Sequence, residues 1–231
     1  MNELRLSYTG LDILQALEQA RNYNAFLTDL VIRGAGGRQP VLDFGAGIGT
    51  FSKLLRDKGV SVTCVEADPS FAQALARAGF LTFRDLHEVP DDSFEFIFAL
   101  NVLEHIEDDR AAVKLLGAKL KKRGSLLLYV PAFEFLWTVL DDKIKHQRRY
   151  DKAGLKKLMR AGGLTVSECR YADSLGLFAA LAFKMFGDKN GDVKPSTIAF
   201  YDRYVVPLSI ILDSLLGGLF GKNVYVVAKK D

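Results

Sequence analysis

The sequence predicts a doubly wound α/β fold, in which helices cover both faces of a mostly parallel sheet. Short runs rich in β-branched and aromatic residues alternate with segments of helical periodicity along the chain, and this alternation is typical of parallel sheets. A glycine-rich turn follows the first predicted strand, at the sheet edge where such folds bind ligands. The length of 231 residues suits one domain of this class with a sizeable core.

The composition excludes several classes of protein. Hydrophobic residues make up 49% of the chain and charged residues 26%, which excludes disordered, collagen-like and coiled-coil chains. The net charge of +3 gives no field that would indicate nucleic-acid binding. Cys64 and Cys169 provide neither zinc-ligand spacing nor a disulfide framework, so we expect reduced core thiols. We expect no signal peptide, because residues 1–10 lack its basic start and apolar stretch.

The predicted elements follow one another in a regular order. Apolar spacing predicts one or two helices over 10–33, ended by the glycines at 34, 36 and 37. The five strands predicted next are 41–44, 61–67, 81–85, 94–100 and 125–130, with helices at 50–59, 69–79 and 109–122. An irregular stretch at 131–150, a helix at 151–161 and strands at 164–171 and 223–230 come after them.

The turn after the first strand reads VLDFGAGIGT, with glycines at 45, 47 and 49. Glycine lets a ligand approach the backbone closely and tolerates positive φ. The dinucleotide fingerprint would require glycine where Thr50 stands, and the phosphate loop would require a Gly-Lys-Ser/Thr ending that the turn lacks. Taken alone, the turn is also compatible with a purely structural connection between strand and helix.

Two carboxylates accompany this turn. Asp43 precedes the first glycine by two residues, and Glu66 ends the second strand, where an acidic side chain can accept hydrogen bonds from ribose hydroxyls. Carboxylates repel phosphates and attract cations. A nucleoside that carries an ammonium and a sulfonium but no phosphate therefore fits this combination of carboxylates and glycines.

With these features the sequence resembles the class I S-adenosylmethionine-dependent methyltransferases of the small-molecule type, similar to methyltransferase types 11 and 12. The resemblance covers about residues 40–170 and lies in VLDFGAGIGTFS, VTCVEADP and DLHEVPDDSFEFIFALNVLEHIEDD. It implies a Rossmann-like seven-stranded sheet of order 3-2-1-4-5-7-6 whose last strand is antiparallel. It also implies S-adenosylmethionine as cofactor, S-adenosylhomocysteine as product and no metal.

The resemblance also implies the residues that bind the cofactor. Glu66 would bind the ribose, and Asp43 would lie near the amino group of the methionine part, through water. Asp85 would contact the adenine amino group, with a solvated loop carboxylate as the alternative reading of this residue. The other implied cofactor positions are Gly45, Ala46, Gly47, Gly49, Ala67, Leu86 and Asn101.

Methyl transfer requires alignment of the reacting atoms, because the sulfonium is already an activated donor with a neutral leaving group. A hydroxyl acceptor would also gain from a general base. The catalytic candidates are His146, in the stretch after the fifth strand, and His105, for which a structural role near the cofactor is the alternative. His87 lies in a polar loop and is expected at the surface.

In the family that the sequence resembles, the segment after the fifth strand covers the acceptor. Besides His146, the implied acceptor-binding residues are Trp137, Asp141, Arg148, Arg149 and Tyr150. Two adjacent arginines present fixed donors to an anionic acceptor. The alternative is a helix-entry loop in which Arg149 pairs with Asp141 and Tyr150 packs ahead of the next helix.

Two apolar segments, 174–187 and 197–220, precede the last strand. Lys184, Pro207 and Asp213 interrupt them, so neither suits a membrane span. We expect them either to pack internally or in a homodimer, or to lie on a membrane beside a lipid-like acceptor. The expected location is cytoplasmic, with peripheral membrane contact as the alternative.

The sequence thus predicts a methyltransferase for a small-molecule or lipid-linked acceptor, with oxygen as the expected acceptor atom. No nucleic-acid partner is expected, because ALNVLE stands where amino-directed nucleic-acid methyltransferases carry an Asn/Asp-Pro-Pro-aromatic tetrapeptide. A non-catalytic S-adenosylmethionine-binding module and a nicotinamide-dependent oxidoreductase are the rival functions. The predicted single domain comprises an N-terminal cap (1–38), a cofactor-binding core (39–172), a helical insert (173–221) and the last strand (222–231).

Overall fold

Seven strands form one sheet in the computed structural model, which describes residues 17–187 and 194–231. The strands are β1 (Val41–Phe44), β2 (Val62–Val65), β3 (Leu81–Phe83), β4 (Phe94–Leu100), β5 (Leu120–Pro131), β6 (Leu164–Ala172) and β7 (Asn223–Lys230). Their order is β3-β2-β1-β4-β5-β7-β6. Strand β7 is antiparallel to both β5 and β6, whereas the other pairs are parallel. The predicted sheet order and antiparallel last strand are confirmed.

Helices connect the strands and pack against the sheet. They are α1 (Arg21–Ala35), α2 (Thr50–Asp57), α3 (Pro69–Arg77), α4 (Asp109–Lys119), α5 (Val139–Lys143), α6 (Lys152–Ala161), α7 (Ser174–Phe186), α8 (Pro195–Phe200) and α9 (Val206–Leu216). A π-helical turn, Tyr201–Val205, joins α8 to α9. Short 3₁₀ turns occur at Leu86–Glu88, Leu103–His105 and Glu134–Leu136. Local sequence explains several ends; Asp68, for example, caps α3 by accepting from the backbone N–H of Ser70.

The observed boundaries differ from the predicted ones mainly at α4. This helix ends at Lys119, before the predicted end at 122, because β5 already begins at Leu120, which pairs with Phe94. Helix α1 corresponds to the second part of the predicted N-terminal helices. It continues through Gly34 to Ala35, and Gly36, whose φ of 56° is left-handed, is its C-cap. The first part of that prediction, up to residue 16, lies outside the described residues.

The core consists of two apolar clusters on opposite faces of the sheet. Successive residues of a strand point to opposite faces, so Ile97 of β4 belongs to one cluster and Phe96 and Phe98 to the other. Strands β1 and β4 are therefore buried on both faces, and this packing fixes the positions of their carboxyl ends. From β1 the chain winds toward β3, and from β4 it winds toward β5, so a topological switch point lies between β1 and β4.

The two cysteines occupy the strands that the sequence predicts. Cys64 lies on β2 and Cys169 on β6, with four strands between them in the sheet, and both are free thiols. Within residues 17–187 and 194–231, no helix combines the length and the apolar character that crossing a membrane requires.

Candidate active site

An open crevice of about 1770 Å³ lies at the carboxyl ends of the parallel strands, at the switch point between β1 and β4. Its walls come from the glycine turn, the end of β2, the loop after β3, the end of β4 and helix α1. Among the residues that line it are Tyr23, Gly45, Ala46, Gly47, Glu66, Ala67, Asp85, Leu86, Asn101, Val102 and His105. Of the ten predicted cofactor-binding residues, eight line the crevice and two, Asp43 and Gly49, do not.

The glycine turn uses glycine for two different reasons. Gly45 has a φ of 79°, and a Cβ added to it would lie 2.5 Å from Cγ2 of Val102. Gly47 has a φ of 54°, and a Cβ there would meet no described atom within 4 Å. Packing therefore requires glycine at position 45, whereas at position 47 the backbone is open toward the crevice, where a ligand can approach it.

Glu66 connects the glycine turn to the end of β2. Its Oε2 accepts a hydrogen bond from the Gly47 N–H at 2.7 Å, and its Oε1 accepts one from the Asp68 N–H at 2.8 Å. The residue is 9% exposed and lines the crevice. A carboxylate oxygen has two lone pairs, so Glu66 keeps the capacity to accept hydrogen bonds from two neighbouring ligand hydroxyls.

Asp43 lies beneath the turn, outside the crevice lining. Its Oδ2 accepts a hydrogen bond from Ser52 Oγ at 2.6 Å, and the same Ser52 Oγ lies 3.2 Å from Cys64 Sγ. Burial raises the pKa of Asp43 to about 7. Any contact between Asp43 and a bound ligand would be indirect, and the predicted contact through water stays a prediction.

Asp85 and Asn101 stand on either side of the crevice. Asp85 Oδ1 accepts a hydrogen bond from the His87 N–H at 2.8 Å, and this bond lowers the pKa of the carboxyl. Both Asp85 and His87 have largely exposed side chains, as predicted for His87. Asn101 has a φ of 54°, which asparagine tolerates better than most residues, and its Nδ2 donates to the Tyr23 hydroxyl at 3.3 Å.

Helix α1 places Tyr23 in the crevice wall, a position that the sequence analysis missed. The N-terminus of α1 is capped by Asp202 of the π-helical turn, which accepts hydrogen bonds from the backbone N–H groups of Asn22 at 3.2 Å and Tyr23 at 2.9 Å. Burial raises the pKa of Tyr23 to about 12. No local signal reveals this contact, because Tyr23 and Asp202 lie far apart in the sequence.

A cluster of polar side chains around His105 adjoins the crevice. Glu104 and His105 belong to the 3₁₀ turn after β4, and His146 comes from residues 131–150, here called the strap. The rings of His105 and His146 are nearly perpendicular, with centroids 4.7 Å apart. His146 Nδ1 lies 2.8 Å from Asp141 Oδ1, and its Nε2 lies 3.9 Å from Glu104 Oε1. The structure thus brings together both predicted catalytic histidines, although only His105 is part of the crevice lining.

Asp141 holds His146 in this orientation. Arg149 donates from Nε to Asp141 Oδ1 at 2.8 Å and from Nη2 to Oδ2 at 2.9 Å, and the Thr138 N–H donates to Oδ2 at 2.8 Å. Burial alone would raise the pKa of Asp141, but the hydrogen bonds from His146 and Arg149 outweigh burial and lower it. The carboxylate therefore fixes which nitrogen of His146 faces Asp141 and which faces Glu104.

Glu104, which the sequence analysis also missed, is fully buried. Neither of its carboxyl oxygens has a hydrogen-bond partner among the described residues. Burial raises the pKa of Glu104 to about 8, so the group is protonated at neutral pH, and burial lowers the pKa of His105 to about 4, so the ring is neutral. Ligand atoms of Glu104, His105 and His146 lie within 4.8 Å of one another.

The predicted acceptor-binding residues of the strap lie outside the crevice lining. The crevice lining includes none of Trp137, Asp141, Arg148, Arg149 and Tyr150. Arg149 pairs with Asp141, Arg148 Nη1 lies 2.9 Å from Asp109 Oδ2, and the Tyr150 hydroxyl donates to the same oxygen at 3.0 Å. This is the helix-entry loop that the sequence analysis gave as the alternative. The predicted arginine clamp is not supported, because carboxylates of the chain already occupy both guanidinium groups.

An open α/β sheet with a glycine turn and an acidic strand end at its switch point defines the chain as a nucleoside-binding protein of the Rossmann-like class. A family model described as a methyltransferase domain matches residues 8–168, which is well over half of the chain. The chain therefore belongs to this methyltransferase family, which confirms the predicted resemblance to the class I S-adenosylmethionine-dependent methyltransferases.

The similar proteins agree with this assignment. The chain is 33% identical over 112 residues to an uncharacterized methyltransferase of Mycobacterium tuberculosis strain H37Rv, a match covering 46% of this chain and 55% of the relative. It thus spans about half the length of the curated relatives it matches.

Two solved structures share the fold over most of this chain. Phosphoethanolamine N-methyltransferase 2 of Haemonchus contortus, in complex with S-adenosylmethionine, has a TM-score of 0.63 at 16% identity, covering 99% of this chain and 58% of that one. A Haloferax volcanii methyltransferase in complex with the activator Trm112 has a TM-score of 0.61 at 18% identity, covering 96% of each chain. At these identities the likeness concerns the fold alone.

Proposed function

We propose that this chain transfers a methyl group from S-adenosylmethionine to an oxygen of a small-molecule or lipid-linked acceptor. The observation that carries the proposal is the position of His105, a neutral imidazole that lines the same crevice as the glycine turn. An imidazole in this state can accept a proton from a hydroxyl, which an oxygen acceptor must lose during the reaction.

The residues around the glycine turn fit the cofactor. Glu66 would accept hydrogen bonds from the ribose, and the open backbone at Gly47 leaves space beside it. Asp85 also lines the crevice, and we propose that the adenine amino group lies beside it. The other proposed contacts are those of Asp43, Gly45, Ala46, Gly49, Ala67, Leu86 and Asn101. When bound, the cofactor supplies an activated methyl group on a cationic sulfur, and this chemistry needs no metal.

We assign the proton transfer to His105 and a positioning role to His146. His105 would take the acceptor hydroxyl proton as the new carbon–oxygen bond forms and the carbon–sulfur bond breaks. The side chain of His146 is 8% exposed and packs edge-on against His105, with Asp141 and Arg149 fixing it from behind. The sequence analysis treats both histidines as candidates, and their placement favours His105 as the residue that meets the acceptor.

The regions outside the core would enclose the acceptor. We propose that the N-terminal cap (1–38) and the insert (173–221) form its walls around the cofactor-binding core (39–172), while residues 222–231 complete the sheet. Tyr23 of the cap lines the crevice, and Asp202 of the insert caps the helix that carries Tyr23, which supports this arrangement. A cytoplasmic location and the absence of a nucleic-acid partner are part of the same proposal.

The test measures release of S-adenosylhomocysteine with a panel of hydroxylated acceptors, free and lipid-linked, each paired with its amine analogue. His105→Ala is expected to lower kcat by about 10²-fold or more, while calorimetry shows the affinity for S-adenosylmethionine within about threefold of the original protein. His146→Ala is expected to lower kcat by about tenfold and to shift the pH profile. His87→Ala changes a largely exposed histidine whose ring contacts Asp85 and serves as the control for kcat alone, which is expected to stay unchanged at saturating S-adenosylmethionine.

Three outcomes would contradict the proposal. Methylation of the amines alone would refute the oxygen acceptor. Cofactor binding without product for any acceptor would favour a non-catalytic binding module. Turnover by His146→Ala within about threefold of the original protein would remove the positioning role.

A further inference from the structure

The helical segment 195–216, made of α8, the π-helical turn and α9, is apolar on its outer side. Phe200, Tyr204, Leu208, Ile211 and Leu215 follow one another at intervals of three or four residues, and each is more than half exposed. Side chains at this spacing lie on one side of a helix. The segment therefore presents a continuous apolar stripe to its surroundings.

The inner side of the same segment is polar and hydrogen-bonded to the protein. Asp202 caps α1, and Ser209 Oγ donates to Asp173 Oδ1 at 2.9 Å. Asp213 accepts hydrogen bonds from the backbone N–H groups of Asp173 at 2.6 Å and Ser174 at 3.0 Å. These bonds fix the rotation of the segment, so the apolar stripe cannot turn inward unless they break. The segment also buries Val206, so it differs from the usual amphipathic helix of a globular protein in the large apolar side chains that it exposes.

The neighbouring helix extends this apolar surface. Nine of the twelve exposed large apolar side chains found among the described residues belong to the insert, and we call these nine the outer face. They are Phe178, Met185, Phe186, Phe200, Tyr204, Leu208, Ile211, Leu215 and Leu219. Isolated exposed apolar residues are normal, but their concentration in and around two helices that pack against each other indicates an interaction surface.

Among the described residues of the insert, the exposed charges are of one sign. Within the described part of the insert, the exposed charged residues are Lys184, Lys194 and Arg203. The three acidic residues of that part, Asp173, Asp202 and Asp213, are held by hydrogen bonds within the protein. An apolar surface accompanied by cations complements a bilayer with anionic headgroups. An isologous dimer would instead bring the same cations of two copies close together.

We infer that the outer face docks this protein on an anionic membrane surface, with the helices lying in the plane of the interface. The docking segment adjoins the crevice directly, because Asp202 binds the backbone of Tyr23 and the side chain of Tyr23 lines the crevice. A lipid-linked acceptor would thus enter from the membrane side. The entry of the acceptor rests on the proposed function, whereas the docking does not.

The test is flotation of the full chain with vesicles of phosphatidylcholine alone and of phosphatidylcholine with phosphatidylglycerol, without cofactor or acceptor. Binding is expected to the anionic vesicles and to weaken as salt is added. Leu208→Ser combined with Leu215→Ser is expected to weaken binding about tenfold or more. Arg203→Gln is expected to weaken it about fivefold on anionic vesicles only. Leu81→Ser is the matched control, since Leu81 is 62% exposed and lies on β3, at the opposite edge of the sheet.

Unchanged melting temperatures of the variants would show that the outer face is not part of the core. The inference fails if the chain does not float with anionic vesicles, or if Leu81→Ser lowers binding as much as the double variant does. It also fails if sedimentation shows a dimer that the double variant converts to monomers, because a second copy would then cover the outer face. Calorimetry with S-adenosylmethionine on the same proteins tests the cofactor site separately, so either result stands without the other.

Discussion

Glu66 and Glu104 are both buried glutamates at the carboxyl edge of the same sheet, yet their surroundings differ. Glu66 follows β2 and accepts hydrogen bonds from the backbone N–H groups of Gly47 and Asp68. Glu104 follows β4, and its carboxyl group has no hydrogen-bond partner in the described part of the chain. Burial without donors raises the pKa of Glu104 to about 8.

The comparison shows that the backbone, more than the residue type, decides what a buried carboxyl group can do. Where N–H groups converge, as at Glu66, a carboxylate is stabilised and can bind ligand hydroxyls. Where no backbone N–H groups converge, as at Glu104, the carboxyl group keeps its proton and lies uncharged beside the neutral ring of His105. In the proposed function, the crevice joins a cofactor side, where Glu66 accepts hydrogen bonds from the ligand, to a methyl-acceptor side, where His105 is the neutral base.

The largest expected effect comes from replacing Glu66. Glu66→Gln would place an amide nitrogen against one of the two backbone N–H donors and remove a charged acceptor. We expect the Kd for S-adenosylmethionine to rise about 100-fold, measured by calorimetry. Glu104→Gln is the matched control and is expected to leave Kd within about twofold, because Glu104 is already neutral. Equal losses for the two variants would refute the distinction between the two glutamates.

A smaller effect is expected in the pH dependence of stability. The pKa of Glu104 is about 8 in the folded chain, against an ordinary value of 4.5, so its stabilising contribution is complete below the ordinary value and is lost as pH rises toward 8. Asp43, with a pKa raised to about 7, acts in the same direction.

Glu104→Gln is expected to lose less unfolding free energy between about pH 5 and pH 8 than the original protein does, by on the order of 2 kcal/mol. Urea unfolding at both pH values measures the difference. Ser52→Ala, which removes the hydrogen bond to Asp43 Oδ2, is a control that leaves Glu104 untouched. Parallel stability curves for Glu104→Gln and the original protein would mean that Glu104 is not protonated in the fold.

The smallest effect concerns the binding of metal ions to Glu104, His105 and His146. Zn²⁺ is expected to bind one ring nitrogen of His105 and one of His146 and so to slow methyl transfer several-fold. Binding to Glu104 as well would require loss of its proton, and this cost opposes the binding of the metal. Glu104→Gln should weaken this inhibition, and a chelator should leave turnover unchanged. If a chelator abolished turnover and Zn²⁺ restored it, the reaction would depend on a metal and the prediction of a metal-free enzyme would be wrong.

The sequence predicts the cofactor side well because that side is built locally. The glycine turn, Glu66, Asp85 and Asn101 each follow a strand whose end can be read from the apolar pattern, and parallel strands bring their carboxyl ends to one edge. The sheet order is confirmed, while the binding roles of these residues stay predictions.

The acceptor side could not be predicted in the same way, because it depends on contacts between distant segments. Adjacent arginines indicate an anion site only if they are free, and nothing local shows that Arg149 is bound to Asp141. The insert presents the same difficulty, since apolar composition identifies its helices but does not show that Ser209 and Asp213 face inward. The polar partners of these residues, Asp173 and Ser174, lie more than 30 positions away.

The capping of α1 by Asp202 has a consequence for biosynthesis. The two partners of this contact are 179 positions apart, so a ribosome completes α1 long before it adds the residue that anchors it. Strand β7, which separates β5 from β6, is also translated after both of its neighbours. A nascent chain therefore carries a complete glycine turn while α1, which forms one wall of the crevice, still lacks the residue that caps it. Affinity for the nucleoside should appear late in translation. Ligand capture by ribosome-bound chains of increasing length would show the length at which the crevice becomes able to bind.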